Sequence, residues 1–290
     1  MEQRRRKKRP IINPANEEII IEINEASQQQ AVGAIQAARH AFQYTDWPFH
    51  PAKRIAALRQ LADLLEQNAE TFASIETLNT GKPIRESRLD VSDSILCLRY
   101  YADFVEQRAI EETKRTDGTT SKIIEEPIGV CALIVPWNFP LLLGIWKLAP
   151  ALAAGNTVVF KPSELTPLSF IELTKLIDSI GLPPGVFNLV PGGGSPVGET
   201  LVTHPDVEKT IVYRRNENRT MDLRTRRSPF EASIFGTWRK IPAAQFLTMR
   251  IFLAPSSGRC LPPSSIKEKC VWLLREFLFN DAFMIRFLIS

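Results

Sequence analysis

Three apolar runs separated by helix-length segments constrain this chain more than any other feature of its 290 residues. They are Ile128–Val135, Thr157–Phe160 and Val186–Val190. An apolar run without in-and-out alternation predicts a parallel strand covered on both faces. Between the first two lies Leu141–Ala154, apolar and helical in period, closed by Gly155-Asn156. Between the last two, Leu168, Ile171, Leu173, Leu176, Ile177 and Ile180 recur at helical spacing up to Gly181. Thr166 ahead of Pro167 reads as that helix's N-cap with proline in the first turn. Strand, helix, strand, helix, strand with short connections predicts a doubly wound α/β unit with right-handed crossovers.

The segment ahead of this unit reads differently. Residues 10–24 form an extended lead-in that turns at Asn13-Pro14-Ala15-Asn16. Four helices follow. One covers Ser27–Phe42, a second starts at Pro51, and a third runs from Ala69 to Leu78 and stops at Thr80-Gly81-Lys82-Pro83. The fourth spans Ser87–Gln107, with Leu89, Ile95, Leu98, Tyr101, Ala102 and Val105 expected to face inward.

Charge is spread unevenly. Residues 210–290 hold 14 Lys+Arg against 6 Asp+Glu, whereas the rest hold 22 against 26. After residue 209 the only glycines are Gly236 and Gly258. Two compositions so different predict two origins, with a poorly specified fold after Lys209. The basic run Arg4–Arg9 is either a nucleic-acid or targeting patch or a solvated arm; a disordered arm over residues 1–10 is expected, and the absence of interleaved aromatics argues against single-strand stacking. No apolar segment follows it as in a secretory leader. Cys97, Cys131, Cys260 and Cys270 have neither disulfide-framework nor zinc-ligand spacing, so reduced thiols, no metal site and a cytoplasmic location are expected. Arg275, Glu276, Asp281 and Arg286 interrupt the apolar stretch Val271–Ile289, which argues against a membrane span. An amphipathic helix or an aggregation-prone segment is expected there instead.

Three features could carry chemistry. Lys161 and Glu164 sit just past the second strand, where α/β sheets bind nucleotides, and a carboxylate there suits ribose hydroxyls over a 2′-phosphate. They equally suit a plain surface pair ahead of a helix. Gly192, Gly194 and Gly198 approach the G-x-G-x-x-G spacing but overshoot it by one, as an ordinary strand-to-helix turn would. Asn138, between Trp137 and Phe139 after the first strand, is either an amide placed to stabilise a developing oxyanion or an ordinary turn asparagine.

The order of longer motifs decides between these readings. Pro136-Trp137-Asn138-Phe139-Pro140, Lys161-Pro162-Ser163-Glu164, Pro183-Pro184-Gly185-Val186-Phe187-Asn188 and His204-Pro205-Asp206-Val207 together resemble the NAD(P)-dependent aldehyde dehydrogenase superfamily. Glu126–Val130 and Trp146–Asn156 resemble its betaine-aldehyde or amino-aldehyde branch. The resemblance runs from Ile11 to Lys209 and implies a Rossmann-like doubly wound parallel sheet preceded by helices, an NAD-binding domain that is incomplete here. It implies that Asn138 is the oxyanion-hole side chain, that Trp137 lies along the nicotinamide half of NAD, and that Val135 and Pro136 are cofactor-binding. Lys161 and Glu164 would hold the adenosine ribose, Ser163 beside them would bind the cofactor, and Gly194 and Gly198 would line the adenine. NAD is implied over NADP, with a small aldehyde as substrate and no nucleic acid or membrane as partner. Members of the family form homo-oligomers, through a surface this chain mostly lacks.

Past Lys209 the resemblance stops. The family's Phe-Thr-Gly-Ser strand end, its Glu-Leu-Gly-Gly-Lys segment with the general base and its Gly-Gln-x-Cys segment with the nucleophile are absent. Aldehyde oxidation by this route needs a thiolate and a base. The expectation is therefore either a dehydrogenase of this family or a non-catalytic remnant that binds nucleotide weakly or joins a complete subunit. An out-of-frame or mis-spliced tail over 210–290 accounts for the charge reversal, the loss of glycine and the end of the motifs.

Overall fold

The computed structural model describes residues 8–108, 111–114, 120–212 and 283–289. The chain divides into two units, one of residues 1–212 with 276–290 and one of 213–275, and the second lies outside the described residues. The lead-in is an antiparallel hairpin of β1 (Lys8–Ile12) and β2 (Ile19–Asn24), pairing Arg9 with Ile23 and Ile11 with Ile21. Its turn is held by the Asn13 side chain, which accepts from Ala15 N at 3.0 Å. The arm expected to be disordered to residue 10 is thus ordered from Lys8, because Lys8–Pro10 are paired in the β1 ladder.

Helix α1 (Gln28–Tyr44) opens on a capping box in which Ser27 Oγ accepts from Gln30 N and Gln30 Oε1 accepts from Ser27 N. After a short helical turn at Trp47–Phe49, α2 (Pro51–Gln67), α3 (Ala69–Thr80) and α4 (Ile84–Gln107) follow. Gly81 ends α3 in the left-handed region at φ 77°, where a side chain would be strained and would meet Pro14. In α4 the residues Ile95, Leu98, Tyr101 and Ala102 are buried as their spacing requires, but Leu89 faces out at 47% exposure. The inward expectation for Leu89 fails because Ser87, Asp90, Val91 and Ser94 form the buried stripe at that end of the helix.

The sheet that matters for function has the order β7-β6-β5-β8 and is parallel throughout. Its strands are β5 (Val130–Ile134), β6 (Thr157–Lys161), β7 (Phe187–Leu189) and β8 (Lys209–Val212). Helices α5 (Pro140–Ala153) and α6 (Leu168–Ser179) connect the first three strands, and α7 (Glu199–Thr203) lies between β7 and β8. Strand alternation splits the core into two layers. Cys131, Leu133, Val158 and Phe160 pack with α2, α4, α5 and α6, whereas Val130, Ala132 and Val159 pack with Ala31, Ile35 and Ala38 of α1 and Leu201 of α7. Helices on both faces make the sheet doubly wound.

Four further features differ from the sequence reading. Strand β8 carries the fold to Val212, three residues past the expected boundary at Lys209, because Ile211 is buried and Ala132 to Ile134 of β5 pair with Thr210 to Val212. A hairpin of β3 (Glu111–Lys114) and β4 (Thr120–Pro127), absent from the sequence reading, precedes the sheet. In the tail, β9 (Phe283–Ile289) is a strand rather than an amphipathic helix and pairs antiparallel with Ser121–Pro127 of β4. An edge strand offers a row of backbone donors and acceptors, and β9 fills it. Finally, α6 starts at Leu168 with no side-chain cap, so Thr166 is not its N-cap. The remaining tail expectations, including Cys260 and Cys270, lie outside the described residues.

Candidate functional site

The carboxyl ends of β5 and β6 lie side by side, and one backbone bond fixes their relation: Val135 N donates to Lys161 O at 3.1 Å. The turn Pro136–Phe139 therefore stands next to the connection Pro162–Thr166. The Thr166 hydroxyl donates to Trp137 O at 3.1 Å, which is where its hydrogen-bonding capacity goes instead of capping α6. Trp137 is 50% exposed, and Asn138 beside it is exposed. Among the described residues none hydrogen-bonds the Asn138 side chain.

Lys161 is buried, with its Nζ donating to Pro162 O at 3.0 Å and lying 3.7 Å from Glu164 Oε2. Burial depresses its pKa, and the Glu164 carboxylate opposes that shift. Ser163 is buried and its hydroxyl accepts from Leu165 N at 3.3 Å, shaping the connection. Gly198 approaches the same lysine: a Cβ built there would lie 3.6 Å from Lys161 Cε. Gly194 is exposed and has open space where its side chain would be. The fold thus places Lys161, Glu164 and Gly198 together, with Val135–Asn138 next to them across the strand ends.

A cavity of about 360 Å³ opens nearby, lined by Glu25, Ala26, Gln30, Asn188 and Pro191 among others. The Trp137 turn does not line it, so the exposed turn rather than this cavity holds the candidate chemistry. Glu25, which lines it, favours the charged form of Lys161.

Two buried groups bear on what the site can do. Cys131, in the middle of β5, has its thiol pushed up to about 12 by burial and is inert as a nucleophile. Lys147 of α5 carries no sequence signal of its own, since its neighbours Trp146 and Leu148 belong to an apolar helix. It is 1% exposed, donates to Ile134 O, and has Ile211 O at 3.5 Å, beneath the carboxyl ends of β5 and β8. Among the described residues no group of three or more His, Cys, Asp or Glu could hold a metal ion. Nor is any helix among them long and apolar enough to cross a membrane.

Similarity to known proteins covers the first 212 residues. The model of the aldehyde dehydrogenase family matches residues 1–212. Betaine aldehyde dehydrogenase of Bacillus subtilis is 44% identical over 202 residues, covering 69% of this chain and 41% of that protein. The NADP/NAD-dependent aldehyde dehydrogenase PuuC of Escherichia coli is 45% identical over 199 residues, covering 68% and 40%. Among solved structures, betaine aldehyde dehydrogenase from Staphylococcus aureus in complex with NAD+ superposes with a TM-score of 0.68 at 40% identity, covering 70% of this chain and 41% of that one. The chain spans about two fifths of the length of these relatives.

Proposed function

The chain belongs to the aldehyde dehydrogenase family through residues 1–212, and from that premise we propose that it carries half of an aldehyde-oxidising site. That half comprises the ribose grip and the oxyanion amide. The other half, with the nucleophile, the base and the pyrophosphate cradle, has no counterpart in residues 213–290. The observation that carries the proposal is the Val135–Lys161 backbone bond, which sets the strand end leading to the exposed Asn138 next to the strand end that carries the buried Lys161 and leads to the half-buried Glu164.

The residues fit the adenosine end of NAD. Lys161 can donate to ribose hydroxyls and Glu164 can accept from them, while a 2′-phosphate would meet the Glu164 charge, which favours NAD over NADP. They do not fit the pyrophosphate. Strand β8 ends on the same side of the sheet, and the sequence that follows it, Tyr213-Arg214-Arg215-Asn216, has no glycine before Gly236, whereas a backbone phosphate cradle favours glycine. When bound in a complete site, NAD accepts the hydride that leaves the aldehyde carbon. The Asn138 amide would donate to the carbonyl oxygen as negative charge builds on it, a contribution often worth about 3 kcal/mol. Trp137 would bound the nicotinamide side and exclude water. Among the described residues the free thiols, Cys97 and Cys131, are buried, and Cys260 and Cys270 lack the family's Gly-Gln-x-Cys context, so on this reading the chain does not turn over.

The reading covers residues 11–212 as an incomplete nucleotide-binding domain and 213–290 as an unrelated, frameshifted or mis-spliced segment. A betaine or amino aldehyde is the substrate class it inherits. The chain would bind nucleotide weakly or associate with a complete subunit. Nucleotide titration followed by NMR decides it: NAD and ADP-ribose should bind in the millimolar range, and E164A should weaken both. Steady NADH production from betaine aldehyde would overturn the non-catalytic half of the proposal, and failure of ADP-ribose to bind would overturn the ribose grip. Reading the encoding DNA in the other two frames past codon 212 tests the tail separately; if neither restores the missing segments, that origin is wrong.

A further inference from the structure

A buried polar cluster at the α3–α4 junction has no part in the reading above. The Lys82 ammonium, just past Gly81, donates to Glu76 Oε2 of α3 at 3.2 Å and to Asp90 Oδ2 of α4 at 2.6 Å. Glu76 is fully buried and also accepts from the Ser169 hydroxyl of α6. Removing three charges from water costs more than their attraction usually returns, and an apolar trio would hold three helices as well or better. The cluster therefore needs a reason other than stability.

Its remaining neighbour supplies one. Lys82 Nζ lies 4.5 Å from the centroid of the Phe139 ring, a cation–π contact, and Phe139 follows Asn138 directly. Phe139 is 41% exposed and Trp137 50%, so burial alone does not set this turn. Polar anchors do, and the end of α3 supplies them on both sides. Lys82 holds the Phe139 ring. Asn79 donates to Leu165 O at 3.0 Å and accepts from Leu168 N at 3.2 Å, bracing the segment whose Thr166 hydroxyl holds Trp137 O.

We infer that Lys82 is a positioning residue for the Trp137–Phe139 turn: seated by Glu76 and Asp90, it holds the Phe139 ring and so sets the direction of the Asn138 amide. It acts through Phe139 and touches no reacting atom. The consequence for function rests on the reading of Asn138 as an oxyanion stabiliser.

The test uses the full chain labelled with fluorinated tryptophan and observed by fluorine NMR. W137F assigns the Trp137 resonance. Trp47, buried and bonded through Nε1 to Asn156 O at 3.1 Å, reports whether the fold is intact. K82M should shift and broaden the Trp137 resonance and leave that of Trp47 in place; E76Q and D90N, which loosen the seat but keep the ammonium, should produce a smaller change in Trp137 alone. Should K82M fail to fold, the Trp47 resonance collapses and the two carboxyl variants decide the matter. An unmoved Trp137 resonance in E76Q and D90N, with Trp47 intact, overturns the inference. Adding NAD to the same samples separates it from the site reading. A Trp137 resonance that answers to the Lys82 cluster but not to NAD removes the site reading and keeps the positioning role, whereas one that answers only to NAD removes the positioning role.

Discussion

Asn156 closes the amino end of the central strand through one side chain. It is fully buried, and its Oδ1 accepts from Ile128 N at 2.8 Å and from Gly129 N at 3.0 Å. N156A would leave two backbone donors without an acceptor, and a loss of about 2–4 kcal/mol is expected in urea unfolding. Gly144 of α5 is constrained by space instead. A Cβ there would lie 2.1 Å from Phe170 and 2.9 Å from Phe160, two rings stacked with centroids 3.7 Å apart. G144A should cost about 1–3 kcal/mol by overpacking; a variant as stable as the parent would show that the ring pair yields freely. Neither position stands out in the sequence. Asn156 reads as a helix stop and Gly144 lies unmarked within an apolar helical run, since the groups they meet come from elsewhere in the chain.

At the scale of elements, helix ends separate what local sequence encodes from what it does not. Ser27 and Gln30 cap α1 reciprocally over three residues, a relation visible in sequence. S27A should destabilise the chain by about 1 kcal/mol. Thr166 has an equally good local pattern ahead of Pro167, yet its hydroxyl goes to Trp137 O. T166A is therefore expected to leave hydrogen-exchange protection in the first turn of α6 unchanged and to alter Trp137 fluorescence; lost protection in that turn would restore the capping role. The β3–β4–β9 sheet makes the same point from the other side. Glu111–Lys114 and Thr120–Pro127 carry little apolar pattern, so the pairing partner rather than the periodicity makes them strands.

Across the molecule, burial acts on charge in one direction. Burial raises the pKa of Glu208 above its ordinary value, against the Val130 N–H and Arg39, which favour its charge. Burial likewise raises Glu76 and Asp90. A carboxyl group with a raised folded pKa binds its proton more tightly folded than unfolded. Its contribution to stability therefore falls as pH rises from the unfolded value, 4.5 for Glu208, through the folded one. Relative to E208Q, the parent chain should lose stability as pH is raised from 4.5 toward neutrality. A difference between the two that stays flat with pH would show that Glu208 does not titrate in that range.

The sequence by itself determined the parallel βαβαβ core, the four helices ahead of it and, through ordered motifs, the family. Each of these depends on periodicity, on caps or on motifs of a few residues, which a single stretch of chain can hold. Only the tertiary structure decided that Val135 meets Lys161, that Lys82 lies over Phe139, that Thr166 turns to Trp137 and that the sheet continues to Val212. These contacts join residues that are distant in the chain, or depend on a partner strand to bury an otherwise ambiguous segment. No local pattern holds both partners at once, so packing had to choose them.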